Sequence, residues 1–159
     1  MTDNKRTSKA LHDIVATCND AAEGFAKAAK GVHNAELSDW LAQASADRER
    51  FAAELSHAIK QRGDQPRLDL HEGGILHKGW VDLEQRLRST EQHLHSKDDK
   101  QIIRECIAGD SGTLRHYDHA LAEDLDPELR LLLIEQRTAV QDNLLYLQSK
   151  VGRGQAQTA

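Results

Sequence analysis

The chain has 159 residues, 38% of them hydrophobic and 30% charged, with a net charge of −5, which suits one domain around one continuous core. The acidic balance, with lysine and arginine dispersed among acids, argues against a nucleic-acid surface, and no apolar run reaches the roughly 20 residues that cross a bilayer. Frequent alanine, only two prolines, and glycines set mostly between periodic segments point to an all-α protein.

Met1 to Arg6 is polar and lacks the apolar stretch of a signal peptide, so residues 1–6 read as a flexible N-terminus and the protein as cytoplasmic. Residues 7–151 read as one helical bundle. Its first helix is expected from about Thr7 to Lys30, with Leu11, Ile14, Val15, Cys18, Ala22, Phe25 and Ala29 on one stripe and Gly31 as its stop. Asn34 can cap the second helix, which carries Leu37, Trp40, Leu41, Ala44, Phe51, Leu55 and Ile59 before Gly63. Gly63 to Gly74 contains Pro66 and reads as irregular. A short amphipathic helix with Leu76, Trp80, Leu83 and Leu87 follows, to about His95; Trp80 in His77-Lys-Gly-Trp80 is expected to pack it onto the bundle.

Ser96-Lys-Asp-Asp99 resembles a capping box and opens a third helix, Lys97 to Asp124, whose stripe is Ile103, Cys106, Ile107, Leu114, Tyr117 and Leu121. Asp126-Pro127-Glu128 is a stronger start: a cap, a proline at the first helical position and an acid by the positive end of the dipole. The last helix carries Leu129, Leu132, Leu133, Val140, Leu144, Leu147 and Val151, and residues 152–159 read as a disordered tail. The short links at 31–34 and 125–126 imply two antiparallel hairpins. A long crossover between two hairpins is the ferritin-like arrangement of a four-helix bundle, here with a short extra helix in the crossover.

The polar residues on the buried faces carry the chemistry. Asp110 falls at the centre of the third helix's apolar stripe, where a carboxylate must be paired, protonated or bound to metal. The second helix places Arg48 centrally and Asp47 at the margin; the first contributes Cys18, the fourth Gln136 and, one step on, Asn143. An ion pair between Arg48 and Asp110, completed by Gln136, is the plainest reading. The alternative is an iron site built on Asp110 with Glu105, Glu54, Asp47 or Glu23.

Di-iron bundles take a Glu from each of two helices and Glu-x-x-His from each of the other two. The one such match here is Glu54-Leu-Ser-His57, whose phase puts both residues on the solvated face. His116 and His119 have the spacing of a surface metal pair, and His93 and His95 sit near a helix end; none has a second inward-facing ligand. Cys18 and Cys106 lack a basic neighbour at helical spacing, so they read as buried free thiols. A third reading, a small-molecule site between the helices, would require a cavity near Gly109 and Gly112.

Several stretches together resemble a known family. They are Cys18-Asn-Asp-Ala-Ala-Glu-Gly-Phe25, Arg48-Glu-Arg-Phe51 with Glu54-Leu55, Leu76-His77-Lys-Gly-Trp80, Glu105-Cys106-Ile-Ala-Gly-Asp110 with Tyr117, and Glu135-Gln136. From about residue 8 to 150 the chain resembles the small bacterial four-helix proteins grouped as ferritin-like domains of unknown function. The resemblance implies a ferritin-like bundle with a crossover and no established activity. Ile107 and Ala108 stand where that family tends to have Glu-Arg, Asp110 where it has Glu, Ser111 where it has Asp, and Gln141 where a His is common. Each departure removes a ligand or proton carrier. Cys18 and Arg48 stand close to where rubrerythrin-like helices carry ligand carboxylates. The expectation is a non-catalytic, stress-associated or accessory bundle without a cofactor, acting through a protein partner or as a homodimer.

Overall fold

Residues 2–63, 80 and 98–152 are described in the computed structural model of the protein, and all their regular structure is helical. Four helices form a bundle: α1 (Thr2–Gly31), α2 (Ala35–Gln61), α3 (Asp99–Leu121) and α4 (Pro127–Val151). The proposed extra helix at 74–95 lies outside the described residues except for Trp80, and so does the tail beyond Gly152.

Local signals explain most boundaries. Asn34 accepts the Leu37 N–H at 2.9 Å and caps α2, while Gly63 takes a positive φ of 81° just beyond it, a conformation glycine adopts without steric cost. Asp126 accepts from the Leu129 N–H at 2.9 Å with Pro127 opening α4. The boundaries of α1 and α3 differ from expectation. Polar residues from Thr2 to Arg6 are already helical, because the helix propagates beyond its apolar stripe; Arg6 meets Glu123 at 3.3 Å. Gly31 is the last helical residue, without positive φ. The α3 cap is Asp98, which accepts from Lys100 N–H at 3.3 Å. Asp99, freed from capping α3, instead accepts the backbone N–H groups of His33 at 2.8 Å and Asn34 at 3.0 Å.

Contacts between helices define the topology. Ser38 donates to Ala29 O at 2.6 Å and Ser45 to Ala22 O at 2.7 Å, so α1 and α2 run antiparallel with their backbones close. Tyr117 to Gln136 and Arg137 to Asp118 pair α3 with α4 in the same sense. Thr17 to Thr113 and Asp99 to His33 make α1 and α3 antiparallel neighbours, which leaves α2 and α3 parallel across the diagonal. The end of α2 and the start of α3 therefore lie at opposite ends of the bundle.

Among the described residues, apolar side chains gather in two clusters. One holds Leu11, Ile14, Phe51, Leu55, Tyr117 and Leu133; the other holds Phe25, Leu37, Leu41, Trp80, Ile103 and Leu147. Trp80 enters through a notch at Gly109: a Cβ there would stand 2.6 Å from the indole. The indole meets Phe25 edge-on, with ring centroids 5.0 Å apart, and its N–H reaches Thr113 Oγ1 at 3.1 Å. The room expected beside Gly109 is thus filled by the protein itself. Gly112 faces only the Arg115 guanidinium, 3.6 Å from where a Cβ would be.

Candidate functional site

A polar layer lies where the two apolar clusters meet, and it draws on all four helices. Arg48 of α2 and Asp110 of α3 are fully buried, as helical phase dictates for both stripes. Across the bundle diagonal, Arg48 Nη2 donates to Asp110 Oδ2 at 2.7 Å and Nε donates to Oδ1 at 3.4 Å. The rings of Phe25 and Phe51 flank the guanidinium, each centroid 5.5 Å from Cζ. Both π-faces favour the cation, and Nη1 has no hydrogen-bond partner among the described residues. Burial raises the Asp110 pKa, while Arg48 and the Thr113 hydroxyl pull it down. Burial works most strongly against the Arg48 charge, and Asp110, with smaller help from Cys18 and Tyr117, brings the net shift to a rise.

A second chain of bonds runs beside the pair toward the surface. Tyr117 of α3 donates to Gln136 Oε1 of α4 at 2.8 Å. Its one proton is thereby used, so Cys18 of α1, with Sγ 3.4 Å from the phenol oxygen, is the donor to Tyr117. Gln136 Nε2 donates to Phe51 O at 3.2 Å and to Glu54 Oε2 at 3.1 Å. Glu54 ends the chain at the rim, where its other oxygen takes Arg50 Nη1 at 2.8 Å. Thr113 adds a link to α1, its hydroxyl 3.2 Å from that of Thr17.

These groups are tuned for packing more than for reaction. Burial pushes the Cys18 thiol up to about 11 and the Cys106 thiol higher still, with Asp110 and Glu105 adding to the rise. A thiolate nucleophile is therefore disfavoured at neutral pH. Tyr117 is likewise held well above the usual phenol range by burial. An open cleft of about 250 Å³ lies elsewhere, at the end of the bundle, lined by Asn34, Leu37, Asp98, Lys100, Tyr146 and Lys150 among others.

Of the residues singled out from sequence, Arg48, Asp110, Gln136 and Cys18 come together in this layer, whereas Asn143 is half-buried and outside its hydrogen bonds. The residues of the alternative iron site do not converge. Asp110 is engaged by Arg48 and Glu105 is buried on α3, while Asp47 and Glu54 meet Arg50 at the edge of α2 and Glu23 is exposed. Among the described residues no group of three His, Cys, Asp or Glu side chains is placed to hold a metal ion.

Two positions differ from their expected faces. Glu54 is half-buried rather than solvated, because its long side chain reaches back to Gln136; His57 is exposed as its phase requires. His116 is buried, since α3 packs on both α1 and α4 and hides a wide face, so it forms no surface pair with exposed His119. His93 and His95 lie outside the described residues. Sequence reasoning misses Thr17 and Thr113, although Thr113 stands one helical turn from Asp110 and so shares its face.

Fold and layer together define an all-α four-helix bundle whose centre is a guanidinium–carboxylate pair. Residues 6–123 match the family described as Domain of unknown function (DUF2383), and the chain belongs to that family. Comparison with curated proteins and with solved structures finds no match.

Proposed function

We propose that the protein is a non-catalytic, ferritin-like bundle in which Arg48, Asp110 and Gln136 occupy the central layer in place of metal. In this reading it is a bacterial, cytoplasmic accessory protein, associated with stress, that works through its surface. The observation that carries the proposal is the fully buried contact of Arg48 Nη2 with Asp110 Oδ2 at 2.7 Å. The topology supports the ferritin-like part: two antiparallel hairpins with a single long connection between them is that arrangement.

A ferritin-like fold raises the question of iron, and the donor set argues against it on chemical grounds. A di-iron centre needs several inward carboxylates and two imidazoles to balance two dications. Among the described residues the one carboxylate at the centre already faces a fixed positive charge, and a dication beside Arg48 would be repelled in a medium that screens poorly. Tyr117, Gln136 and Cys18 add neutral groups bonded to one another. These residues do not fit the metal pair.

Anaerobic Fe(II) titration of the untagged, metal-stripped protein tests the proposal, with iron counted after desalting. The expected result is no retained iron. About two irons per chain, the stoichiometry of a di-iron site, lost in Asp110→Ala, would overturn it.

A further inference from the structure

Apolar residues on α4 fall on two opposite faces. Leu129, Leu133, Val140, Leu144 and Leu147 face the core, whereas Leu131, Ile134 and Leu145 stand 57%, 44% and 56% exposed on the far side. At 100° per residue the outer three share a seam with Thr138 at its middle. Leu131 and Leu145 are each two helical turns from Thr138, one before it and one after. The seam is therefore symmetric about Thr138 when the helix is reversed.

That symmetry points to its occupant. We infer that a second copy of this chain docks on the outer face of α4, the two α4 helices antiparallel and the two-fold axis passing beside Thr138. The inference rests on the reading of the bundle as a protein that acts through its surface, and it names that surface. In the antiparallel register Leu131 of one copy covers Leu145 of the other, and the reverse contact follows from the two-fold. Thr138 meets its own counterpart, a small polar residue at the centre of an apolar seam that penalises slipped registers.

Charge selects the antiparallel sense over the parallel one. The N-terminal end of α4 carries three acids, Asp124, Asp126 and the almost fully exposed Glu128, while its C-terminal end carries exposed Lys150. The single guanidinium of Arg62 offsets part of the acidic charge: it grips Asp126 and stands 3.8 Å from Glu128. Reversal places Glu128 of one copy beside Lys150 of the other and opposes the helix dipoles. Glu135 and Asp142 stand at the rim of the seam, exposed, and keep their water. Three apolar side chains a side make a patch below the roughly 800 Å² per partner of a stable complex, so the dimer is weak and concentration-dependent.

Thr138→Cys in the full chain tests the geometry, because both native cysteines are buried. Under mild oxidation it should become a disulfide-linked dimer, while Ala46→Cys on the exposed face of α2 should not. Leu131→Cys mixed with Leu145→Cys should cross-link, and neither alone should. In sedimentation velocity the unmodified protein should dimerise as its concentration rises, and Leu131→Glu or Leu145→Glu should weaken this by about tenfold or more. Both side chains are exposed, so circular dichroism should confirm that these variants stay folded.

A monomer at every concentration would overturn the inference. So would self-linking of Leu131→Cys, which marks a parallel pair. A Thr138→Cys variant whose new thiol is shielded within the monomer would overturn it too, since the chain's own residues would then cover the seam. Iron uptake by a protein that still cross-links through position 138 would overturn the proposed function and leave this dimer standing.

Discussion

Arg48 lies within α2 and Arg62 caps its C-terminus, and each grips an aspartate of another helix through two nitrogens. Arg62 holds Asp126 at 2.5 and 2.8 Å, Arg48 holds Asp110 at 2.7 and 3.4 Å. By distance the outer pair is the better one. Arg62 and Asp126 are partly exposed, however, so water and salt compete for both charges, and such pairs contribute between about 0 and 1 kcal/mol. Arg48 and Asp110 have no water to return to if either is removed. Burial, not bond length, decides what each pair is worth.

The largest effect should come from breaking the inner pair one side at a time. Arg48→Met should cost about 3–5 kcal/mol, because it leaves Asp110 buried and unpaired. Arg48→Met combined with Asp110→Leu should cost much less, since no charge is stranded. Urea unfolding of the single and double variants measures this, and equal losses would refute the coupling. The next largest should follow from crowding the notch beside the pair. Gly109→Ala would drive a methyl into the Trp80 indole and should cost about 1–3 kcal/mol, with a shift in tryptophan emission.

At the outer pair the aspartate should matter more than the arginine. Arg62→Ala should change stability by at most about 1 kcal/mol, whereas Asp126→Ala also removes the cap on α4, typically worth about 1 kcal/mol more. Asp126→Ser should recover much of the difference by capping without the charge. Arg62, and then the Leu129 N–H, hold the Asp126 carboxyl well below its usual range. Its contribution is therefore complete above the unfolded carboxyl pKa of about 4 and fades as pH falls below that. Acid titrations of the unmodified protein and Asp126→Asn should converge in that window.

A separate effect lies at the alkaline end. With the Cys18 thiol raised to about 11 in the fold, the unfolded chain loses that proton first, near pH 8.5–9. Stability should decline as pH rises from there toward 11, and Cys18→Ala should flatten part of the slope in chemical denaturation.

Much of this arrangement was legible in the sequence, and the limits have physical causes. Helical phase alone assigns Asp110, Arg48, Gln136 and Cys18 to buried faces, because a 3.6-residue repeat is a property of each helix by itself. Depth along the bundle is different: it depends on how four helices register, and Asn143 lies on the inward side of α4 yet shares none of the layer's bonds among the described residues. Glu54 escaped because phase describes where a Cα points, while a glutamate has three further bonds with which to return. The start of α1 escaped because Thr2 to Arg6 has no apolar stripe to read. The notch at Gly109 could be suspected from a glycine on a buried face, but its occupant comes from a distant part of the chain.

The diagonal placement of Arg48 and Asp110 has a further consequence for alignment. One residue belongs to the first hairpin and the other to the second, so their contact, beside the Thr17–Thr113 and Gln136–Phe51 bonds, acts as a ruler between two largely apolar surfaces. Leucine tolerates a sliding neighbour, because one methyl group packs against another much as it did before. A bidentate ion pair does not. Sliding one hairpin along the other by a single turn would part the charges by about 5.4 Å and strand both in an apolar interior, so the pair singles out one alignment from those that the leucines alone would accept.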